Sequence, residues 1–407
     1  MKNVRIKLTT LAALALAFAM VLTSCGAIGD FVVKSSFPVN RLSIDVEPVS
    51  TDTEAATEGE TELLEAPDTA EPEDDVNGGE EPKDGIRPPE ADGELSTPLV
   101  WHVVDPKTGG ELYLLGSMHA GLSDMCLFPD EIYAAFDHCD VLAVESDVIE
   151  LEKDAAMGVE GMRMLVYQDG TKISDHISAD LYAAASKFIE EAGYPSSFMD
   201  YYMPILWQQV IDEILTEQTP YKYENGVDRY FLYEAKRIGK EIVEVEEPLD
   251  TYKRLAQLSE ITQEILLEEE IDPDYIDSYG ENMAALYAMW KRGDLEEIDN
   301  ALTEEGIKLS DQQDGDGADK TDEGKNAAAD AQTVDREACY AEYNDAMLGE
   351  RNVGMISKAQ TFLEQGDKVF YVVGLAHMVG DDGIVAGLEA LGYTVELMEF
   401  AEQVSVD

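Results

Sequence analysis

Cysteine, histidine and basic residues are scarce in this 407-residue chain, and each shortage narrows the class of protein. Only 28 lysines and arginines face 86 aspartates and glutamates, which gives a formal net charge of −58. Phosphate binding needs a basic surface, so we expect no nucleic-acid partner. Three of the four cysteines, Cys126, Cys139 and Cys339, follow the N-terminal leader, and this odd number argues against a disulfide framework. A Cys126–Cys139 bridge and small core residues both stay open as interpretations.

The N-terminus has the layout of an export signal. Three basic residues within the first seven precede an apolar run over residues 11–22, which is shorter than a membrane-spanning helix requires. The run ends in Leu-Thr-Ser-Cys at Cys25, which is typical of a bacterial lipobox, although an ordinary cleaved signal is the alternative. We predict a lipoprotein signal peptide over residues 1–25 with Cys25 lipidated. The protein would then lie on the extracytoplasmic face of the bacterial cell membrane, with the membrane as a partner through the lipid anchor.

Two acidic stretches of low hydrophobicity predict disorder. Chain segments of this kind bury too little apolar surface to offset the entropy cost of ordering them. We predict an acidic disordered tether over residues 26–98 and a disordered insertion over about residues 310–332. The folded domain is predicted to occupy residues 99–402.

Two of the five histidines stand in a repeated pattern. Residues 116–119 and 374–377 both read Gly-x-x-His, and they follow apolar runs over residues 112–115 and 369–373. Such runs are typical of buried parallel strands, and active sites of α/β sheets collect at the carboxyl ends of those strands. A glycine at this point suits a tight strand exit or a close backbone approach.

The remaining patterns define the fold class. An apolar run over residues 141–145 predicts another buried strand, and apolar residues recur at helical spacing through most of residues 179–305. We predict an α/β fold: a central mixed sheet with the motif residues at the C-terminal ends of its strands, plus a large helical middle segment. The predicted helices include residues 181–192, 197–217, 227–238, 275–292 and 336–364.

His119, Glu145 and His377 each follow or end a predicted buried strand. Two imidazoles and one carboxylate are a common ligand set for a catalytic divalent metal ion that keeps open positions for water. We therefore predict that these three residues bind one such ion, manganese, cobalt or zinc. The alternative is that each is an ordinary hydrogen-bonded residue at a strand end. The other three histidines lack this setting and are interpreted as structural or surface residues.

These motifs together resemble the TraB/PrgY/GumN family. The resemblance rests on segments 116–121, 226–228, 351–352 and 374–380 with Glu145, and it extends over nearly the whole predicted domain. It implies an α/β fold similar to the ChaN lipoproteins and erythromycin esterase. It also implies a metal-dependent activity, since the animal Tiki relatives are described as metal-dependent proteases that act on Wnt proteins at the membrane. The family's double Gly-x-x-His motif corresponds to Gly116, His119, Gly374 and His377.

Other residues within or beside these motifs have two interpretations each. Arg351 could bind a substrate carboxylate or oxyanion through its planar guanidinium, or it could form a structural ion pair with Glu145, Asp147 or another core carboxylate. Asn352 could orient a ligand or cap a local turn, and Asp228 could cap a helix or belong to the site. Asp147, two residues after Glu145, is a candidate general base.

The sequence thus predicts a surface-anchored metal-dependent hydrolase, a peptidase that acts on extracellular peptides or proteins. Its catalytic residues would be Glu145, Arg351 and Asp147, and Gly116, Gly374, Asn352 and Asp228 would line the site. One alternative is a binding protein that sequesters a peptide without cutting it. Another is a haem- or metal-binding lipoprotein with His119 or His377 as an axial ligand.

Overall fold

The computed structural model describes residues 85–89, 93–302 and 335–400 of the chain. Its centre is a six-stranded mixed sheet with the strand order β4-β3-β5-β2-β1-β6. Strands β4, β3, β5 and β2 run parallel, whereas β1 is antiparallel to both β2 and β6. The strands are β1 (Val100–Val104), β2 (Glu111–Ser117), β3 (Val141–Val144), β4 (Glu241–Glu244), β5 (Lys368–Gly374) and β6 (Thr394–Leu397).

The two strands that precede the Gly-x-x-His motifs lie in the middle of this sheet. Residues 369–373 of β5 are all buried, as their uninterrupted apolar run predicts for a strand covered on both faces. The adjacent β1–β2 hairpin turns at Gly109, whose φ of 77° is in the left-handed region that favours glycine. The predicted α/β class, with a mixed central sheet and a helical middle segment, is confirmed.

Helices pack around the sheet and form most of residues 148–302. Several begin with a side-chain cap, such as Asp272, which accepts hydrogen bonds from the backbone of Asp274 and Tyr275. The helices are α1 (Asp130–His138), α2 (Val148–Lys153), α3 (Ala155–Met164), α4 (Ala179–Glu191), α5 (Pro204–Glu217), α6 (Val227–Ile238), α7 (Asp250–Gln257), α8 (Glu260–Glu270), α9 (Pro273–Arg292), α10 (Leu295–Leu302), α11 (Arg336–Asn344), α12 (Glu350–Gln365), α13 (Leu375–Met378) and α14 (Ile384–Ala390).

Two predicted helices are divided. The helix predicted over residues 197–217 is a 3₁₀ turn, Ser196–Met199, followed by α5, which begins at Pro204. The residue before a proline is disfavoured in the helical region, so α5 starts at the proline itself. The helix predicted over residues 336–364 contains a π-helical turn, Asp345–Gly349, between α11 and α12. Such turns occur frequently at functional sites.

The end of the predicted tether lies against the domain. Ile86 is buried and its amide donates to Asp137 Oδ1 at 2.8 Å. Ser96 and Thr97 are also buried, and the amide of Thr97 donates to the carbonyl of Lys291 at 2.8 Å. Apolar and backbone contacts with the domain therefore already occur within the last part of the predicted tether.

Cys126, Cys139 and Cys339 are buried and free, so the interpretation as small core residues is confirmed and the Cys126–Cys139 bridge is absent. Cys25, most of the predicted tether and the insertion at about residues 310–332 lie outside the described residues. No helix within the described residues is long and apolar enough to span a bilayer.

Candidate functional site

The sheet register brings the two Gly-x-x-His segments together. Strands β2 and β5 are parallel neighbours, and Ser117 lies opposite Gly374. On the other side of β5, Val144 of β3 lies opposite Val372, so Glu145 leaves its strand beside the second motif. Residues from three distant parts of the sequence therefore reach one place at the carboxyl edge of the sheet.

His119, Glu145 and His377 surround the Cα of Gly374. A Cβ added to this glycine would lie 3.2 Å from Glu145 Oε1, 3.5 Å from His119 Nε2 and 3.6 Å from His377 Cδ2. His377 Nε2 lies 3.8 Å from Glu145 Oε2. All three side chains are buried. Gly374 is thus the position whose missing side chain leaves room between the predicted ligands.

In both Gly-x-x-His motifs, the Nδ1 atom of the histidine lies beside a side-chain oxygen. His377 Nδ1 lies 2.6 Å from Asn352 Oδ1, and an amide oxygen can only accept, so Nδ1 carries the proton. The other end of the Asn352 amide donates to the carbonyl of Asp382 at 2.9 Å. His119 Nδ1 lies 3.1 Å from Asp228 Oδ1. An oxygen at Nδ1 favours the tautomer whose Nε2 lone pair can bind a metal or accept a proton.

The position of Asp228 follows from how the start of α6 packs on the first motif. Gly226 is the N-terminal cap residue of α6, and a Cβ there would lie 2.4 Å from the carbonyl oxygen of His119. The amide of Val227 donates to the carbonyl of Met118 at 3.1 Å. Only glycine permits this approach, which brings Asp228 to the His119 ring. Asp228 therefore belongs to the site, and the capping position is occupied by Gly226.

Arg351 is an ion-pair partner of two carboxylates. Its Nη2 donates to Glu145 Oε2 at 2.8 Å and to Glu246 Oε2 at 2.7 Å, and its Nε donates to Glu246 Oε1 at 2.7 Å. Nη1 donates to the carbonyl of Met347, in the π-helical turn, at 2.7 Å. The guanidinium is 1% exposed. The structure therefore shows the predicted ion pair with Glu145 and adds Glu246, which the sequence analysis missed.

Burial and these contacts set the protonation of the site. Burial, with a smaller effect of Arg351, lowers the pKa of His377 well below its usual value, so this ring is neutral at neutral pH. Burial also lowers the pKa of His119, but nearby Asp228 outweighs it, and the net shift is upward. Burial raises the pKa of Glu145 to about 7, against the opposing effect of Arg351. Glu145 can thus change its protonation near neutral pH, while Asp228 favours the protonated form of the His119 ring.

Asp147 and Gly116 have structural contacts. Asp147 caps α2 by accepting from the amide of Glu150 at 3.1 Å, and its other oxygen pairs with Lys236 at 2.6 Å. Both oxygens are engaged, so the general-base hypothesis for Asp147 gains no support. A Cβ on Gly116 would lie 2.6 Å from the Leu375 side chain, which makes this glycine a packing requirement of the β2 end.

The side chains of His119, His377 and Glu145 are of the types that bind a divalent metal ion, but the Glu145 carboxylate already accepts hydrogen bonds. Within the described ranges, no group of three or more His, Cys, Asp or Glu side chains could hold a metal ion as placed. Glu145 accepts from Arg351 with Oε2 and from the Gly374 amide with Oε1 at 2.5 Å. A carboxylate oxygen carries two lone pairs, so a hydrogen-bonded Oε1 retains capacity for a second partner. The space at Gly374 is bordered by that atom and by His119 Nε2.

A groove opens beside the two motifs. Its residues come from the strand ends at Ser117, His119 and Gly374 and from the helices α5, α9 and α10. Its walls are mostly apolar, and one of them is fixed to the first motif because Trp290 Nε1 donates to the carbonyl of Gly116 at 2.8 Å. The sequence analysis found none of the groove-forming residues on these helices, since helical periodicity does not show which residues border a pocket.

The fold and this cluster define an α/β protein with two oriented histidines and a carboxylate at the carboxyl ends of the parallel strands of a mixed sheet. The chain belongs to the TraB/PrgY/gumN family, whose profile it matches over residues 99–397. It is also 24% identical over 164 residues to the Uncharacterized protein YbaP of Escherichia coli (strain K12), a match that covers 39% of this chain and 57% of that protein. The chain therefore spans just over half the length of this curated relative. No solved structure matches the chain.

Proposed function

We propose that this protein is a surface-anchored metal-dependent hydrolase that cleaves peptides. One observation carries the proposal: two imidazoles, each with an oxygen at Nδ1, meet a buried carboxylate around Gly374 at the edge of the sheet. Metal-binding histidines characteristically have such an oxygen at the second ring nitrogen. The groove beside the cluster gives a substrate access to it.

The residues that would hold the ion are His119, His377 and Glu145. A bound divalent ion supplies a water of lowered pKa and polarises the carbonyl to be attacked. The protein's own part is orientation. Asp228 and Asn352 keep the two rings in place, and Arg351 with the Gly374 amide fixes the Glu145 carboxylate.

The place of action follows from the N-terminal signal. We propose that lipidated Cys25 holds the domain on the extracytoplasmic face of the bacterial cell membrane, where peptides or proteins outside the cell are its substrates. The acidic segment after Cys25 would separate the domain from the bilayer, because like charges extend a chain.

A second function is favoured by the state of Glu145. Both of its oxygens are occupied by hydrogen bonds from Arg351 and Gly374, so the cluster also suits a protein that binds a peptide in the groove without hydrolysing it. In both functions the groove binds a peptide. They differ in whether a metal ion is bound and whether peptide bonds are cut.

Elemental analysis and a peptide-library cleavage assay on the full-length protein separate these functions. We expect about one manganese, cobalt or zinc ion per chain and cleavage that is lost in His119→Ala and His377→Ala. The matched control is His138→Ala, because this histidine is 42% exposed and pairs with Glu111 outside the motifs. Absence of metal from the wild-type protein, or cleavage that survives both motif substitutions, would refute the hydrolase.

A further inference from the structure

The groove beside the site has an acidic end. Asp212 and Thr216 of α5 and Tyr279 of α9 form part of its lining, and all three are buried. Tyr279 donates its hydroxyl to Asp212 Oδ1 at 2.8 Å. The Thr216 hydroxyl lies 2.6 Å from the Tyr279 hydroxyl. Because Tyr279 donates its only hydroxyl hydrogen to Asp212, Thr216 is the donor in this second hydrogen bond. The Asp212 carboxylate is therefore anchored at Oδ1, which is its one oxygen with a hydrogen-bond partner within the described residues.

Among the residues that the structure describes, no cation balances this carboxylate. Within the described part of the chain, no Lys, Arg or His lies at ion-pair distance from Asp212; its ionisable neighbours include Glu213 and Glu270, which are also acidic. A buried carboxylate without a positive partner is costly to ionise. Burial accordingly raises the pKa of Asp212 to about 6, and a bound cation would favour its ionised form.

Between this end and the motifs the walls are apolar. Met283, Leu286 and Trp290 project from α9, and Met118 and Leu375 contribute from the strand ends. These apolar side chains can pack against the aliphatic stem of a lysine or arginine.

We infer that the groove receives one side chain of the substrate peptide and that Asp212 selects a lysine or arginine at this position. The inference rests on the proposed function, since it assigns the substrate of the same site. Methionine walls adapt to differing apolar side chains, whereas a fixed carboxylate accepts a cationic donor specifically. The net charge of −58 favours the approach of basic peptides over acidic ones.

Binding of a position-scanned peptide set to the full-length protein tests this inference. The probes are fluorescein-labelled hexapeptides of alanine and leucine with one lysine, norleucine or glutamate moved along the sequence, and anisotropy is read at about 0.15 M salt. Norleucine keeps the aliphatic stem and lacks the charge. At one position we expect lysine to bind about 10- to 100-fold more tightly than norleucine, with glutamate weakest.

Two variants locate the source of that preference. Asp212→Asn keeps the shape and removes the charge, and we expect the lysine and norleucine peptides to bind it within about twofold of each other. The matched control is Asp277→Asn, an exposed position on α9, which should retain the full preference. A preference that persists in Asp212→Asn, equal loss in both variants, equal binding of the two peptides by the wild type, or no binding of any peptide would overturn the inference.

The wild-type comparison of lysine with norleucine decides the matter even if Asp212→Asn fails to fold. Mass spectrometry of the same mixtures separates this inference from the proposed function. Peptides that bind with a lysine preference and stay intact would refute the hydrolase and keep the groove assignment. Peptides that are cut with no lysine preference would refute the groove assignment and keep the hydrolase.

Discussion

The most quantitative prediction concerns the contribution of Arg351 to the free energy of unfolding. Its guanidinium forms three hydrogen bonds to the carboxylates of Glu145 and Glu246 and one to the carbonyl of Met347, in a place with almost no solvent. Replacement of Arg351 by Met leaves the buried Glu145 and the partly buried Glu246 without their guanidinium partner. Removing one partner of a buried ion pair costs about 3–5 kcal/mol, mostly from the uncompensated charge that remains.

The free energy of unfolding measured by urea denaturation should therefore fall by about 3–5 kcal/mol in Arg351→Met at pH 8. Arg351→Lys should lose less, because lysine restores the charge but not the planar fork that contacts both carboxylates. Arg163→Met is the control, since Arg163 is 74% exposed and its surface pair with Glu160 should contribute less than about 1 kcal/mol.

The pH dependence gives an independent check. In the wild type the pKa of Glu145 is about 7, above its ordinary value of 4.5, so its contribution to stability is greatest below pH 4.5 and declines as the pH rises through 7. Arg351 lowers that pKa, so its removal raises it further. The loss in Arg351→Met should consequently be smaller at pH 5 than at pH 8. A destabilisation below about 1 kcal/mol at pH 8, or a loss that grows toward acid pH, would refute the buried ion pair.

Three further outcomes are expected. Gly374 has φ of −50° and ψ of 139°, which alanine can adopt, but the Cβ of Gly374→Ala would lie 3.2 Å from Glu145 Oε1. Metal content and cleavage should therefore fall at least about tenfold while the melting temperature stays nearly unchanged. Full activity of this variant would contradict the site. Deletion of residues 48–84 should leave the melting temperature unchanged. Deletion of residues 48–98 should lower it by several degrees, because Ile86 and Thr97 contact the domain. Equal melting temperatures of the two deletion variants would contradict this contact. Cys25→Ala should release the protein from the membrane fraction and abolish labelling with a radioactive fatty acid, and persistent labelling would exclude Cys25 as the anchor.

Local patterns in the sequence determined the strands and the positions of the motif residues. The apolar runs before Gly116 and Gly374 predict buried strands, and both runs form strands that are parallel neighbours at the centre of the sheet. The helix predicted over residues 227–238 has those same bounds in the structure, since Gly226 begins it and Gly239, with φ of 69°, ends it. Periodicity and end signals of this kind act within a few residues along the chain, so they can be read without knowing the fold.

Contacts between segments distant in sequence were decided by the tertiary structure. Glu145 directly follows β3, and Glu246 stands two residues after the end of β4; the Glu246 amide donates to the Glu145 carbonyl at 3.3 Å. An acid just after a parallel strand was the signal that could have identified Glu246. Asp147 has the same chemistry and lies closer to Glu145 in sequence, yet it caps α2 and pairs with Lys236. Residue type and spacing show which groups can carry charge, but strand order and helix packing decide which of them meet, because those contacts join segments separated by about a hundred or more residues in the chain.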